Sequence, residues 1–464
     1  MNAEGGAGAQ PRSLAIAVDA AAADAIQLAD EIWSLAEVGY QEARSSAALQ
    51  DYLTTAGFAV EAGVADIPTA FAASFGSGKP VIGILAEFDA LPGLSQAAVP
   101  ERQVRVAGGA GHACGHHLFG AASALAGRVL VDWLRARPAG SGTLRVFGTP
   151  AEEGGSGKVY MAREGLFADV DIMLHWHPGD GNDASAFSTT ANKSGRFTFH
   201  GIAAHAAAAP ERGRSALDAV EAMNFMVNQM REHVPAEARI HYVITDGGAA
   251  PNIVPERAQV YYYVRHPDRD QTEALFERVT TAARAAAMGT ETRLDLEVMH
   301  GNYPLLPNRT LAQAVHAHMV SLGGIRYSAE ERAFAETLRK TMGGGLMRPL
   351  GSVGIIAPLR NYVRSGSTDV GDVSWQVPTV GFYTATWVPG TAGHSWQAVA
   401  AGGMSIGHKG MVLAAQTLAL TGQQLFTDAT LRQRAWREFE AARGADFEYR
   451  ALLGDRSPPL DYRR

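Results

Sequence analysis

Cys114 is the one cysteine in 464 residues, and it stands in Gly-His-Ala-Cys-Gly-His-His, Gly111 to His117. A lone thiol forms no intramolecular disulfide, so its use lies in packing or reactivity. His112, His116 and His117 crowd around it. Thiolate and neutral imidazole nitrogen are natural ligands of zinc and neighbouring divalent ions. Gly115, between Cys114 and His116, lets a loop bend tightly around an ion.

Three other places could complete such a site. Glu152 and Glu153 are adjacent in Gly-Thr-Pro-Ala-Glu-Glu-Gly-Gly. Paired carboxylates at the end of a core strand are costly unless exposed or metal-bound. In a turn, one can ligate while the other faces substrate as a general base. His175 and His177 lie in Met-Leu-His-Trp-His-Pro. A period of two puts both on one strand face, so alternation does not choose between them. His394 sits on a glycine-bearing loop, Pro-Gly-Thr-Ala-Gly-His-Ser, suited to close approach to a site.

The elements that must position these groups alternate between strand and helix. Pro80 to Phe88 is a continuous apolar run, the mark of a strand covered on both faces. Thr143 to Thr149 and Val170 to His177 read as further core strands. Ala20 to Trp33, Ser45 to Ala56 and His117 to Arg137 read as helices. The chemistry-bearing residues follow the strand ends, where open α/β sheets place ligands. From Lys193 the order becomes β-α-β-β-α-β: strands at Gly195 to Gly201, Arg239 to Asp246, Gln259 to Arg265 and Arg293 to His300, with helices at Ser215 to His233 and Thr272 to Met288. That is the ferredoxin-like pattern. After it come helices at Leu311 to Leu322 and Ser328 to Lys340, a strand at Thr379 to Trp387 and a helix at Gly403 to Thr421. The expected fold is α/β: a mixed, largely parallel sheet in a discontinuous domain (1–189 and 304–464), with an inserted ferredoxin-like α+β domain (190–303).

The length permits a large core and two or more domains. A hydrophobic fraction of 47% and a charged fraction of 19% are those of a globular protein. A formal net charge of -7 argues against nucleic acid or an anionic membrane as the main partner. A single cysteine fits a reducing cytoplasm. The first residues lack the pattern of a signal peptide, and no run approaches the length of a membrane span. Residues 1–12 are expected to be disordered, and Arg456 to Arg464 to form a surface extension. No Gly-x-Ser-x-Gly elbow is present. Gly155 to Lys158 lacks the first glycine and the Ser/Thr of a phosphate-binding loop.

Together these motifs resemble the M20 metallopeptidase family, in its amidohydrolase branch with a cysteine metal ligand. The likeness runs through Glu37 to Glu42, Ala86 to Gln96, the Cys114 and Glu152 motifs, Trp-His-Pro-Gly, Ala-Ala-His-Ala, Pro-Asn-Ile-Val-Pro, Gly-Ser-Thr-Asp-Val-Gly-Asp and Pro-Gly-Thr-Ala-Gly-His. The resemblance implies two divalent ions, manganese or zinc. It implies Cys114 as the bridging ligand, with His116, Glu153 and His394. It favours His177 over His175 as the remaining ligand. Glu152 corresponds to the general base. His205 corresponds to a histidine that reaches into the active site of a partner copy and polarises the scissile carbonyl. Asn252 and Arg265 correspond to residues that hold the substrate carboxylate. His117 departs from the family, which often has Asp or Asn there, so the partner of the site histidine is left open. The implied substrate is an N-acyl amino acid, with aminobenzoyl-glutamate favoured and a broader N-acyl-amino-acid or dipeptide hydrolase as the alternative. The implied assembly is a homodimer, or a pairing with a homologous second subunit. Two other readings of the residues are a non-catalytic metal-binding protein and a hydrolase using Cys114 as nucleophile.

Overall fold

The computed structural model describes residues 10–343 and 347–463. Residues 1–9 of the stretch expected to be disordered lie outside the described residues. Residues 10–12 open the first helix, Gln10–Leu35.

Among strands, the chain opens with β1 (Ala59–Ala62), β2 (Phe71–Ser77), β3 (Val81–Ala86), β4 (Gly142–Gly148) and β5 (Ile172–Leu174). The short β6 (His177–Gly179) and β7 (Ala186–Ser188) follow. Next come β8 (Ala191–His200), β9 (Arg239–Asp246), β10 (Arg257–His266) and β11 (Arg293–Asn302). The chain returns with β12 (Asn361–Val363), β13 (Thr379–Val380) and β14 (Tyr383–Ala385).

The main sheet has six strands in the order β1-β2-β4-β3-β5-β13. The β4-β3, β3-β5 and β5-β13 pairs are parallel, and the two pairs at the β1 edge are antiparallel. Every residue of β3 is buried, as its unbroken apolar run requires. Helix His116–Arg135 packs on β3 and β4 and is flanked by helices Gln10–Leu35 and Ser405–Thr427. The fold is therefore mixed α/β with a largely parallel sheet. The sequence reading misses the β1–β2 edge, because the short β1 is mostly exposed and shows no clear alternation.

The inserted region has its own sheet, β11-β8-β10-β9, antiparallel throughout. Helices Ala216–Met230 and Arg269–Gly289 pack together against it. Phe197, Phe199, Val220, Tyr262, Phe276 and Val279 form its separate apolar core. This is the ferredoxin-like order.

Two expected strands are interrupted. Val170 to His177 divides into β5 and β6, and Thr379 to Trp387 into β13 and β14. The register survives the break, since Leu174 faces Val380 and His177 faces Tyr383. The gap falls where the His175 ring lies over Gly381, so close that a Cβ there would sit 2.1 Å from its Nε2. No described helix is long and apolar enough to cross a membrane.

Candidate metal centre and active-site cleft

The chain ends its core strands at one place. β3 runs into Glu87 and Asp89, and β4 into Glu152 and Glu153. The turn before helix His116–Arg135 supplies Cys114 and His116, β6 supplies His177, and the loop before helix Trp396–Gly402 supplies His394. Cys114 Sγ lies 3.5 Å from His177 Nε2. His394 Nε2 lies 3.0 Å from Glu153 Oε1. The donor atoms of Cys114, His116 and His177 are all within 4.8 Å of one another, and so are those of Cys114, Glu153 and His394. The two groups share Cys114.

The backbone bends hard to allow this. Gly115 has φ 77°, and a Cβ there would meet Pro178 Cβ at 2.7 Å. Ala151 and His394 also adopt left-handed φ, 57° and 59°. Non-glycine residues held there cost about 1–3 kcal/mol and persist when their surroundings fix them. The Glu42 carboxylate accepts the Ala151 N–H at 2.9 Å, and Ala113 O accepts the His394 N–H at 3.0 Å.

Second partners fix the tautomers. His116 Nδ1–H donates to Asp89 Oδ1 at 2.7 Å, which turns Nε2 toward the centre. That Nε2 lies 3.1 Å from Glu87 Oε2, and neither buried atom makes a hydrogen bond. His177 Nδ1–H donates to Pro178 O at 2.8 Å, which likewise leaves its Nε2 for Cys114's side. His175 does not reach this cluster. Burial holds its imidazole neutral, with its pKa lowered to about 3. His112 and His117 point away as well, bonded to Ile32 O and Gly402 O. Asp89, rather than the residue beside His116, is the partner that the His117 departure leaves open.

Glu87, Asp89, Lys158 and Asp369 are site residues that sequence reasoning misses. Lys158 is fully buried, with Nζ 2.8 Å from Glu87 and 2.7 Å from Asp369. Burial opposes its charge, but Asp369 and Glu87 hold its pKa above the usual value. It is the lysine of the Gly-Ser-Gly-Lys stretch that fails as a phosphate loop. Asp369 lies in the Gly-Ser-Thr-Asp motif. A carboxylate ending an apolar run was the available signal for Glu87 and Asp89. Burial, then Glu87, Glu153 and Asp369, push the Glu152 carboxyl well up. Burial and then Glu153 push the Cys114 thiol up.

A cleft of about 1350 Å³ opens above Cys114, Glu152, Glu153, His177 and His394. Tyr263 and Arg265 on β10 reach its wall from the inserted region, and Arg265 Nη1 donates to Ser367 Oγ at 3.2 Å. His205 and Asn252 do not line it. They are exposed neighbours on the inserted region, joined where Asn252 O accepts the Ala206 N–H at 3.1 Å.

The carboxy-terminal segment is not a surface extension. Arg456 bonds Glu297 at 2.9 Å and the Val298 carbonyl, both on β11. Tyr462 packs edge-on against Tyr40, at a centroid distance of 5.6 Å. The Tyr462 hydroxyl and Arg463 guanidinium donate to Glu153 O at 3.1 and 2.7 Å. An aromatic ring and a carbonyl needing donors draw the tail inward.

A half-buried thiol with imidazoles and carboxylates around it at the mouth of such a sheet defines a candidate metallohydrolase centre. The peptidase dimerisation domain of M20 proteins matches residues 188–291. The chain is 40% identical to the B subunit of p-aminobenzoyl-glutamate hydrolase from Escherichia coli, over 89% of this chain and 91% of that protein. It is 30% identical to the Xaa-Arg dipeptidase of Mus musculus, over 92% of each. A solved dinuclear metal binding peptidase of the M20 family from Bacillus subtilis superposes with a TM-score of 0.55 at 16% identity, covering 87% of this chain and 99% of that one. The protein belongs to the M20 peptidase family and is a hydrolase acting on amide bonds.

Proposed function

We propose that this protein uses two divalent ions, manganese or zinc, to hydrolyse N-acyl amino acids, with aminobenzoyl-glutamate the favoured substrate. The observation that carries the metal reading is the pair of ligand groups meeting at one thiol. Cys114 would serve both ions, with His116 and His177 on one side and Glu153 and His394 on the other. The donor set fits such a centre. Two imidazoles have their Nδ1 atoms committed elsewhere, and among the described residues His116 Nε2 is buried without a hydrogen bond. Burial and Glu153 both disfavour a bare Cys114 thiolate, which a cation would relieve and which argues against a free cysteine nucleophile.

When bound, the ions would supply a water of lowered pKa and a Lewis acid for the carbonyl. The chain's own groups would do the rest. Glu152 would take the water's proton on a carboxylate oxygen and return it to the leaving amine nitrogen. Arg265 would hold the substrate carboxylate by its planar fork. The donor to the scissile carbonyl would be the partner's His205, with the partner's Asn252 next to it, since neither lines this chain's own cleft. The His205 Nδ1 accepts the Ala207 and Ala208 N–H groups at 3.2 Å, so Nε2 carries the hydrogen a carbonyl needs. The inserted domain, taken as 190–303 between 1–189 and 304–464, offers an edge for a second copy. β9 is an outer strand with Tyr242, Val243 and Ile244 exposed. The Escherichia coli relative bears the name of one subunit of its enzyme. A homologous second subunit is therefore the alternative occupant of that edge. A cytoplasmic location fits the single cysteine.

The mouse relative's name supports a second reading, a dipeptidase releasing a cationic residue. The cleft argues against it, because Arg265 and Arg364, which have no carboxylate partner among the described residues, would face that cation. The test is metal analysis with a substrate panel. Fast cleavage of aminobenzoyl-glutamate by protein holding two ions per chain is expected. Cleavage of Xaa-Arg dipeptides without any aryl-glutamate amide would reject the substrate, and activity unaffected by complete metal removal would reject the mechanism.

A further inference from the structure

The cleft wall formed by residues 360–369 carries an arginine, Arg364, that has no ion pair within 4.0 Å among the described residues. Arg348, Arg360, Arg364 and Arg463 line the cleft together with Arg265. Arg348 is paired with Asp180 at 2.6 Å and Arg360 with Asp183 at 3.8 Å. Arg463 is spent on Glu153 O at 2.7 Å. Among the described residues, Arg265 and Arg364 make no ion pair within 4.0 Å. Each has only a hydroxyl, Ser367 Oγ at 3.2 Å for Arg265 and the Tyr362 oxygen at 3.4 Å for Arg364. The nearby Asp183 carboxylate is committed, since it pairs with Arg360 and accepts the Tyr362 hydroxyl at 3.1 Å.

Arg364 is also held rigidly. Its guanidinium carbon sits 3.9 Å from the Tyr383 ring centroid and 5.0 Å from that of Phe187. Tyr383 in turn packs on His177, with ring centroids 5.6 Å apart. The stack fixes the guanidinium plane beside the metal end of the cleft, and among the described residues its terminal nitrogens make no hydrogen bond. A guanidinium held in a fixed plane without its own carboxylate partner keeps its fork free, and a fixed fork is the geometry that recognises carboxylate. Ser367, which touches Arg265, is three residues from Arg364, so the two anchors flank one short segment spanning at most about 11 Å of chain.

We propose that Arg364 binds the side-chain carboxylate of a dicarboxylic leaving group, while Arg265 takes the α-carboxylate. This rests on the function proposed above and narrows the leaving residue to one with two acidic groups. It predicts rejection of neutral and cationic residues at that position, because their side chains would leave Arg364 uncompensated.

The test uses the metal-loaded full-length protein and three substrates: 4-aminobenzoyl-glutamate, its side-chain amide (the glutamine compound) and its α-amide (the isoglutamine compound). The wild type is expected to prefer glutamate over glutamine in kcat/KM on the order of 10- to 100-fold, the usual worth of a hydrogen bond to a charged group. In Arg364→Met that preference should collapse toward unity, while discrimination against the α-amide persists. Arg364→Lys, which keeps the charge and loses the fork, should fall between. An equal fall on all three substrates would mark Arg364 as a mere prop for Tyr383 and overturn the proposal. So would loss of α-amide discrimination instead of side-chain discrimination. If the wild type cleaves glutamate and glutamine compounds equally well, the anchor fails while the function stands. If it cleaves none of the three, the function itself fails and the anchor with it.

Discussion

The Cys114 end of the cleft and the His205 face of the inserted domain carry family-type residues in opposite settings. At the Cys114 end two of the three imidazoles are pinned by a second partner within the chain, Asp89 for His116 and Pro178 O for His177. At the other, His205 is exposed, oriented only by two N–H groups of its own turn, and absent from the cleft. One half of the site is preorganised by folding. The other half is oriented but not delivered, as expected if assembly supplies it.

The comparison is broken most severely by removing what is preorganised. Cys114→Ala takes a ligand from both groups at once. It should lose both ions by metal analysis and cut kcat/KM by about 10³-fold or more, with circular dichroism unchanged. Retention of two ions with full activity would remove Cys114 from the centre. His205→Ala should keep its metals and lower kcat by about 10²- to 10³-fold, the usual cost of losing an oxyanion donor. The sharper experiment mixes these two inactive variants. If His205 acts across the interface, mixed dimers contain one complete site and activity returns. No recovery from a mixture shown to exchange subunits would place His205's action within its own chain.

What the sequence made legible divides along the same line. The motif residues at the Cys114 end follow apolar runs, so their convergence follows from the sheet topology alone. The α/β class and the ferredoxin-like insertion are equally readable, because strand and helix periods are local. Their supports are not. Lys158 and Asp369 meet across 211 residues of sequence, and Asp89 meets His116 across 27. No local pattern marks such pairs. The tail fails for a related reason: Tyr462 looks like one more polar surface residue until Tyr40 and Glu153 O are brought beside it. Alternation does not choose between His175 and His177, since a regular strand puts both on one face; the break between β5 and β6 is what separates them.

A milder perturbation tests how the two regions are joined. Asp372 sits at their junction, accepting the N–H of Tyr303, just past β11, at 3.0 Å and the Tyr449 hydroxyl at 2.7 Å. Burial, against the relief of those hydrogen bonds, raises its pKa from 3.8 to about 7. The folded state thus disfavours the charged form. This group's contribution to stability falls as pH rises from about 4 to 7 and is flat above that. At about 1.4 kcal/mol per unit, the loss between pH 5 and 7 is at most about 3 kcal/mol. Asp372→Asn should remove that slope, read as urea unfolding at pH 5 and pH 8. An unchanged slope in the variant would mean that Asp372 titrates normally and the junction is open to water.

The smallest expected effect lies in the tail, which touches both regions. Arg456 is fastened to β11 of the inserted domain, and seven residues later Arg463 is fastened to the carbonyl of Glu153. The carbonyl also accepts from Tyr462, so losing either donor leaves it partly satisfied. Arg463→Ala should therefore cost about 1 kcal/mol, a few-fold in kcat, through a looser Glu152–Glu153 turn rather than through lost metal. Tyr462→Phe with Arg463→Ala leaves the carbonyl with neither donor, and the two losses should exceed the sum of their separate effects. Simple additivity would show that the turn is held by Glu42 and the strained Ala151 alone. The preorganised half would then owe nothing to the segment that links it to the inserted domain.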